Sequence, residues 1–344
     1  MKIIRKRLVS LILAILLAIP MTFLCDMDVL ATDVISEEEK MSDGYASANK
    51  EYSCSDSFKV ANNNTLVKVA ISTTYEVKGS VSIAYKEAED NPYLLKFETK
   101  SGNVFDAEGE GKPLIYCVKT IVLDKGEYTI NIQFDQTTSY NLYMVRCAGI
   151  SEKKLEVVEG FTSQFEVTDS IAAKIEWRSN NKIIADVDEN GVVTGKYPGT
   201  TDIVLTGRTE GGAELFSYTC KIKVISNVFK ASKLTVSDIK DTGNDIGADV
   251  YNMYYNKKGH LVMKLAIANA SKKLVKRITN VKFKARDNAG KVIGIYKIKS
   301  MDIKVPSGKS KTFTIKIKKK DLKIKKANLV GGSMTGSQFT AVTV

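Results

Sequence analysis

Residues 176–205 read EWRSNNKIIADVDENGVVTGKYPGTTDIVL, and the run from Asp186 to Gly191 within them resembles the first half of a calcium-binding loop. A helix–loop–helix calcium site needs a bidentate Glu at its twelfth position, and the twelfth residue counted from Asp186 is Tyr197. Asn190 and Gly191 readily adopt positive φ angles, and strand-forming residues flank them. The run therefore predicts the turn of a β-hairpin and excludes a calcium loop of this type.

The stretch belongs to a longer pattern of Trp, Gly and β-branched residues. In order, the pattern consists of Leu155, Val157, Gly160, Trp177, Ser179, Asn180, Ala185, Val187, Gly191, Val193, Gly195, Gly199, Ile203, Cys220 and Val224. It resembles the group 2 bacterial immunoglobulin-like domain of invasin- and intimin-type adhesins. The resemblance implies an Ig-like β-sandwich at about 150–226, anchored by Trp177, that acts as a spacer or adhesive module and contains no catalytic group.

Strand signals continue on both sides of this module. Short runs of β-branched and aromatic residues alternate with Gly, Asn and Asp turns, and helical periodicity is nearly absent. The sequence therefore predicts an all-β fold of three consecutive β-sandwich modules, jelly-roll or Ig-like, after a signal peptide. The modules are expected at 51–148, 150–226 and 228–344.

The first module contains a Gly-x-Tyr strand followed by a Tyr-x-Leu strand. The four residues are Gly126, Tyr128, Tyr140 and Leu142. They resemble those of small jelly-roll domains of secreted bacterial proteins, which implies polymer binding or a spacer role. Four further aromatics suggest a glycan-stacking platform: Tyr52, Tyr85, Tyr93 and Tyr116. The alternative is that these rings fill or fringe the sandwich core, which strand propensity alone explains.

The third module resembles the FxLYD type of Ig-like domain. The matching residues are Asn269, Phe283, Asp287, Gly290, Pro306 and Gly308, while Ala285 and Arg286 stand where Leu and Tyr are usual. The resemblance implies a fold and no defined biochemical role.

The N-terminus has the composition of an export signal. Basic residues at 2–7 precede an apolar run at 8–19 that is too short to span a bilayer, and small residues end at Ala31. We expect a signal peptide at 1–31, with a lipoprotein signal at Cys25 or a retained anchor as alternatives. An acidic, Ser-rich leader at 32–50 is expected to be flexible. The mature chain is then secreted and associated with the cell surface.

Catalytic and metal-binding motifs are missing from the sequence. His260 is the single histidine, so triads and multi-His metal sites lack a partner. Four Asp residues at 238–249 fit an exposed connector better than a cation site. We expect no enzyme activity, no metal and no cofactor. Export permits disulfides, and Cys54 with Cys147, which bracket the first module, are the preferred pair.

Charge is strongly segregated along the chain. The net charge is +12, but residues 228–344 hold 26 basic and 7 acidic residues, a net of +19, and residues 1–31 hold a net of +2, which leaves −9 for residues 32–227. Alternation at 313–318 places Phe313, Ile315 and Ile317 on one face and lysines on the other. The candidate polyanion-binding residues are Lys297, Lys299, Lys304, Lys309, Lys311, Lys316 and Lys318.

This charge pattern leads to a functional hypothesis. A strongly positive surface attracts anionic polymers, so we expect an anionic cell-wall polymer or a membrane surface as partner. Nucleic acid is disfavoured, because no DNA- or RNA-reading motif is present. The predicted function is a non-enzymatic surface protein with adhesive or ligand-binding modules and a wall-binding C-terminal module. The alternative is a secreted spacer or accessory subunit that binds a protein partner or glycan and no wall.

Overall fold

The computed structural model describes residues 38–53, 58–85, 88–105, 111–335 and 339–344. The predicted signal peptide at 1–31 lies outside these residues. Within them the regular secondary structure is almost entirely β-strand, as predicted, with one six-residue helix. Buried apolar side chains form three clusters that follow one another along the chain.

The first sandwich is built from two antiparallel sheets. Its strands are β1 (Glu38–Ala46), β2 (Glu51–Ser53), β3 (Phe58–Val60), β4 (Thr65–Thr73), β5 (Lys78–Tyr85), β6 (Ala88–Glu98), β7 (Lys100–Phe105), β8 (Gly111–Leu123), β9 (Gly126–Phe134) and β10 (Thr138–Ile150). The sheets have the orders β1-β10-β4-β8-β7 and β2-β9-β5-β6, with β3 also on β9. The pairs nest inward, from β1–β10 through β2–β9 and β4–β8 to β5–β6. This nesting is the strand order of a jelly roll.

The segment predicted to be a flexible leader contains strand β1. This strand pairs with β10 from Glu38↔Val145 to Ala46↔Thr138, and Ala46 is fully buried. The prediction of a flexible leader is wrong for these residues. Strand pairing uses main-chain groups, which an acidic, Ser-rich segment supplies as well as an apolar one, and β1 covers an otherwise open edge of β10.

The second sandwich packs a four-stranded sheet against a three-stranded one. Its strands are β11 (Lys154–Val158), β12 (Thr162–Gln164), β13 (Val167–Thr168), β14 (Lys174–Ser179), β15 (Ala185–Val187), β16 (Val192–Gly195), β17 (Gly199–Arg208) and β18 (Glu214–Ile225). The sheet orders are β11-β18-β17-β14 and β12-β16-β15, with β11 parallel to β18. Trp177 is partly buried and stacks on the fully buried Phe165, with ring centroids 5.6 Å apart.

The run at 186–191 is a turn, as the sequence predicts. β15 and β16 pair across it, and the Asp188 carboxylate accepts hydrogen bonds from the main-chain N–H groups of Asn190 and Val192, each at 2.9 Å. Gly191 has a φ of 77°. A Cβ there would lie 2.7 Å from the carbonyl oxygen of Phe165, so both conformation and space require glycine. The Asp188 carboxylate thus closes the turn by accepting hydrogen bonds from the main chain of the turn.

The third sandwich contains the helix and the remaining strands. Its elements are β19 (Val228–Lys230), α1 (Val236–Asp241), β20 (Ile246–Tyr255), β21 (Leu261–Asn269), β22 (Val275–Arg286), β23 (Val292–Val305), β24 (Lys309–Ile317), a 3₁₀ turn (Lys319–Asp321), β25 (Ser333–Thr335) and β26 (Thr340–Thr343). One sheet has the order β19-β20-β21-β24; the other has β23-β22-β25, with β26 also on β22. Thr235 and Asp238 form a capping box that starts α1, and Ile239 of α1 packs over Gly247.

Direct contacts join successive sandwiches. β13 adds to β10 through Gly149↔Thr168 and Ile150↔Val167, and Leu66 of the first sandwich lies in the core cluster of the second. The amide of Asn227 joins the second sandwich to the third. Its Nδ2 donates to the Ala327 carbonyl oxygen at 2.9 Å, and its Oδ1 accepts from the Leu329 N–H at 2.7 Å.

Candidate functional site

The seven lysines predicted to bind polyanions are all exposed, but they lie in three places. β23 and β24 belong to different sheets of the third sandwich. Lys297 and Lys299 therefore lie on one sheet, and Lys316 and Lys318 lie on or just beyond the edge strand of the other. The remaining three flank the turn between the two strands, and they are Lys304, Lys309 and Lys311. A single lysine field on one sheet face is not what the structure shows.

The alternation along β24 is as the sequence predicts. Ile315 and Ile317 are buried and Phe313 is half-buried, whereas Lys316 and Lys318 are exposed. Near the turn, Lys311 Nζ donates to the Lys304 carbonyl oxygen at 2.8 Å. That lysine is therefore occupied in closing the turn.

Strand pairing brings two of the predicted lysines, Lys297 and Lys299, together with two further lysines of β22. Lys282 of β22 lies directly opposite Lys297 of β23. Their neighbours in register, Val281↔Ile298 and Phe283↔Tyr296, point into the core, so the lysine pair points outward. We call Lys282, Lys284, Lys297 and Lys299 the basic stripe. Lys284 is two residues along β22 and Lys299 two residues along β23, in opposite directions from the opposed pair.

Acidic residues do not neutralise the basic stripe. Beyond residue 250 the sequence has three of them: Asp287, Asp302 and Asp321. Asp302 pairs with Arg277 at 2.6 Å, and the hydrogen bond from that guanidinium lowers the pKa of the carboxyl. Asp287 accepts hydrogen bonds from two main-chain N–H groups in its own turn. In the described part of the chain, no ion pair is recorded for any lysine of the stripe.

A like-charged cross-strand pair has an energetic cost. Like charges directly opposite each other on a sheet are destabilising, and Lys282 and Lys297 are in this relation without an acidic neighbour in register. Next along the strands, Arg286 is engaged with the Gly290 carbonyl oxygen at 2.7 Å and with the Thr335 hydroxyl at 3.2 Å. The stripe is thus a set of unneutralised cations bounded by basic side chains that have partners.

The four tyrosines proposed as a glycan platform are divided between the two sheets of the first sandwich. Tyr52 and Tyr85 pack against the core, and Tyr85 lies 4.5 Å from the Tyr128 ring, centroid to centroid. Tyr93 is 47% exposed on the edge strand β6. Tyr116 pairs with Ser72 on the other sheet. The four do not form a single platform.

Other candidate groups have structural roles. His260 Nδ1 accepts the main-chain N–H of Lys319 at 3.0 Å and so holds the start of the 3₁₀ turn. Cys220 is fully buried in the second core, and burial raises the pKa of its thiol to about 12. Cys147 is buried too, while Cys54 lies outside the described residues, so their pairing stays a prediction.

The described ranges contain neither a metal-binding cluster nor a membrane-spanning helix. No group of three or more His, Cys, Asp or Glu side chains there is placed to hold a metal ion. No helix in the same ranges is long and apolar enough to cross a membrane. Asp238, one of the acidic residues at 238–249, accepts hydrogen bonds from Thr235 within the capping box.

The fold defines this chain as a modular β-sandwich protein, with a jelly roll followed by Ig-like sandwiches. Residues 145–215 match the family described as bacterial Ig-like domain (group 2), and this part of the chain is a domain of that family. The match begins inside β10 and ends at the start of β18, which continues to Ile225. The resemblances of the first and third modules to known families stay predictions.

Comparison with solved structures finds distant likenesses. The PBSX exported protein XepA is 11% identical, with 90% of this chain and 87% of that chain covered and a TM-score of 0.28. An intimin C-terminal fragment, solved with the intimin-binding domain of its translocated receptor, is 16% identical. The match covers 59% of this chain and 71% of that fragment, with a TM-score of 0.19. The β-glucosidase DesR from Streptomyces venezuelae is 9% identical. The match covers 89% of this chain and 47% of DesR, with a TM-score of 0.18. Likeness at this level carries no argument about function.

No curated protein matches this chain.

Proposed function

We propose that this chain is an exported, non-enzymatic bacterial surface protein whose third sandwich holds it to anionic polymers of the cell wall. One observation carries the proposal: residues 228–344 have a net charge of +19, and Arg277–Asp302 is the one ion pair recorded in the described part of that region. A surface built for stability and solubility alone mixes charges of both signs. A surface on which positive charge predominates concentrates anionic polymers around itself.

The remaining sandwiches fit the roles of spacer and presenter. The group 2 Ig-like domain is joined to both neighbours by main-chain pairing or by the Asn227 amide, which supports a fixed separation between the ends of the chain. The first sandwich then stands furthest along the chain from the basic module and is the one to meet an external protein or glycan ligand.

Co-sedimentation with purified bacterial cell walls tests wall binding. The full mature chain is mixed with intact walls and with walls stripped of anionic polymer, across a salt series. We expect binding to intact walls at low salt, loss of binding at high salt because exposed charges are screened, and little binding to stripped walls. Absence of binding to intact walls at every salt concentration would contradict the proposal and favour a secreted spacer or accessory subunit.

A further inference from the structure

We infer that the polymer-binding site is the basic stripe on the outer face of β22 and β23, and that its ligand is an extended phosphodiester polymer lying along the strands. This inference rests on the proposed function and locates it on four lysines. They are Lys282, Lys284, Lys297 and Lys299.

The register of β22 and β23 arranges these lysines as a line. Lys284 comes first, the opposed Lys282 and Lys297 follow, and Lys299 comes last. Residues two apart in an antiparallel strand are about 7 Å apart, so the line spans about 14 Å. The two members of the opposed pair are about 5 Å apart at their Cβ atoms. A linear polyanion along the strand direction therefore meets a cation at each two-residue step.

The surroundings of the stripe favour a ligand over a purely solvated surface. Its opposed pair destabilises the free protein by like-charge repulsion, and no acidic side chain lies opposite it in register. Beyond Lys299 the same strand pair reaches Arg277 and Asp302, which neutralise each other at 2.6 Å. A bound polyanion neutralises the repulsion between Lys282 and Lys297. It gains no net attraction from the Arg277–Asp302 ion pair, which is already neutral.

The chemistry of the lysines favours phosphodiesters among polyanions. An ammonium group is a compact point charge that binds single phosphate charges without bidentate geometry. A polymer of glycerol phosphate has one charge in each backbone repeat, so an extended chain presents its charges as a line, as the stripe does. Charges carried at the ends of flexible side chains, as in poly-glutamate, have no such fixed line.

The other lysines predicted from the sequence to bind polyanions differ from the stripe in geometry. Lys304, Lys309 and Lys311 surround a turn, and one of them is bonded to a carbonyl oxygen of another. Lys316 and Lys318 lie on or beyond the edge strand of the opposite sheet. They add to the general field, and they provide a matched control because they are exposed lysines of the same sandwich.

Two quadruple variants of the full mature chain with equal net charge test the location. The stripe variant carries Lys→Gln at 282, 284, 297 and 299, and the control variant carries Lys→Gln at 304, 309, 316 and 318. Affinity for poly(glycerol phosphate) is measured across a salt series. We expect the stripe variant to bind about tenfold or more weakly and its slope of log K against log salt to fall by about 3. The control variant is expected to lose no more than about threefold in affinity.

The folding of both variants is checked independently. Thermal unfolding should leave the control midpoint unchanged, and the stripe midpoint should be unchanged or raised, because removing Lys282 and Lys297 relieves repulsion. A stripe variant that unfolds at a lower temperature is replaced by the single variant K282Q, which keeps three of the four charges and is expected to bind more weakly than K316Q.

Each outcome separates this inference from the function on which it rests. Equal losses in the two variants would overturn the location while leaving wall binding intact. Equal affinity of the unmodified chain for poly-glutamate would overturn the phosphodiester class. Failure of the unmodified chain to bind either polymer would overturn the site and its ligand class, and co-sedimentation with intact walls would then decide separately whether the wall-binding function stands.

Discussion

Replacing Asn269 should destabilise the third sandwich more than any exposed polar substitution there. The side chain is fully buried at the end of β21 and makes four hydrogen bonds. Its Nδ2 donates to the carbonyl oxygens of Lys273 and Val305, at 2.8 and 3.0 Å. Its Oδ1 accepts from the Ser271 N–H and hydroxyl, at 3.0 and 2.6 Å. This one amide therefore ties the 270–274 loop to the end of β23.

The size of the effect follows from these bonds. Asn269→Ala removes all four and leaves a buried carbonyl oxygen of Val305 without its donor. Net hydrogen bonds contribute about 1 kcal/mol each, and an unpaired buried group costs about 1–3 kcal/mol. Because Ser271 can turn to solvent, we expect the free energy of unfolding of the third sandwich to fall by about 3 kcal/mol.

In the Asn269→Asp variant the free energy of unfolding should depend on pH. This dependence distinguishes loss of the two Nδ2 hydrogen bonds from loss of packing. An ionised carboxylate at this position would face two carbonyl oxygens, and this repulsion raises its folded-state pKa above the unfolded value. The group then contributes stability below the unfolded pKa, and that contribution is lost as pH rises through the folded pKa. The variant should be closer to the unmodified protein in acid than at neutral pH, whereas Asn269→Ala should show no such recovery.

The assay has an internal control. Urea unfolding is followed by circular dichroism for the whole chain and by fluorescence of Trp177, the single tryptophan, which lies in the second sandwich. The dichroism transition, which includes the third sandwich, should shift more than the Trp177 transition. Asn252→Ala is the matched substitution, since that half-buried Asn of β20 has no recorded side-chain hydrogen bond in the described chain and should stay within about 0.5 kcal/mol. A loss below about 0.5 kcal/mol for Asn269→Ala would refute the bonding argument.

Three further predictions concern the second sandwich and its junction. Gly207→Ala places a Cβ 2.3 Å from the Phe216 ring and should cost about 1–3 kcal/mol in Trp177-detected unfolding, whereas Gly211→Ala, with its nearest atom at 3.8 Å, should be tolerated. Hydrogen bonds from Lys174 and Arg208 lower the pKa of Glu176 from 4.5 to about 2. The ionised Glu176 carboxylate therefore stabilises the second sandwich above pH 4.5, and this contribution is lost as pH falls toward 2. Glu176→Gln should flatten that acid dependence in Trp177-detected unfolding. Asn227→Ala breaks the amide link to Ala327 and Leu329 and should separate the calorimetric transitions of the second and third sandwiches; an unchanged calorimetric profile would contradict a coupling role.

The sequence predicts the fold class well because each strand carries its own signal. Alternation along β9 and β24 and the positions of Gly191 and Trp177 are local properties, and the structure uses them as predicted. Strand β1 escapes prediction because its backbone pairing leaves little trace in side-chain composition.

The candidate site is harder to predict than the strands, because it depends on which strands pair. The pattern VKFKAR at 281–286 shows that Lys282 and Lys284 point outward. It does not show that Lys297 lies opposite Lys282, nor that β24 belongs to the other sheet. The lysines nearest in sequence are therefore split, and distant ones are brought together. Long-range pairing decides this, and a single sequence does not encode it in any local pattern.

Lysine footprinting on intact cell walls tests the wall-binding account most directly. The full mature chain is acetylated under limiting reagent, free and bound to walls, and the modification of each lysine is compared by mass spectrometry. The account predicts protection in the third sandwich, strongest at Lys282, Lys284, Lys297 and Lys299, with little change at Lys304, Lys309 or in the first sandwich. Protection confined to the first sandwich, or none with the chain bound, would contradict it.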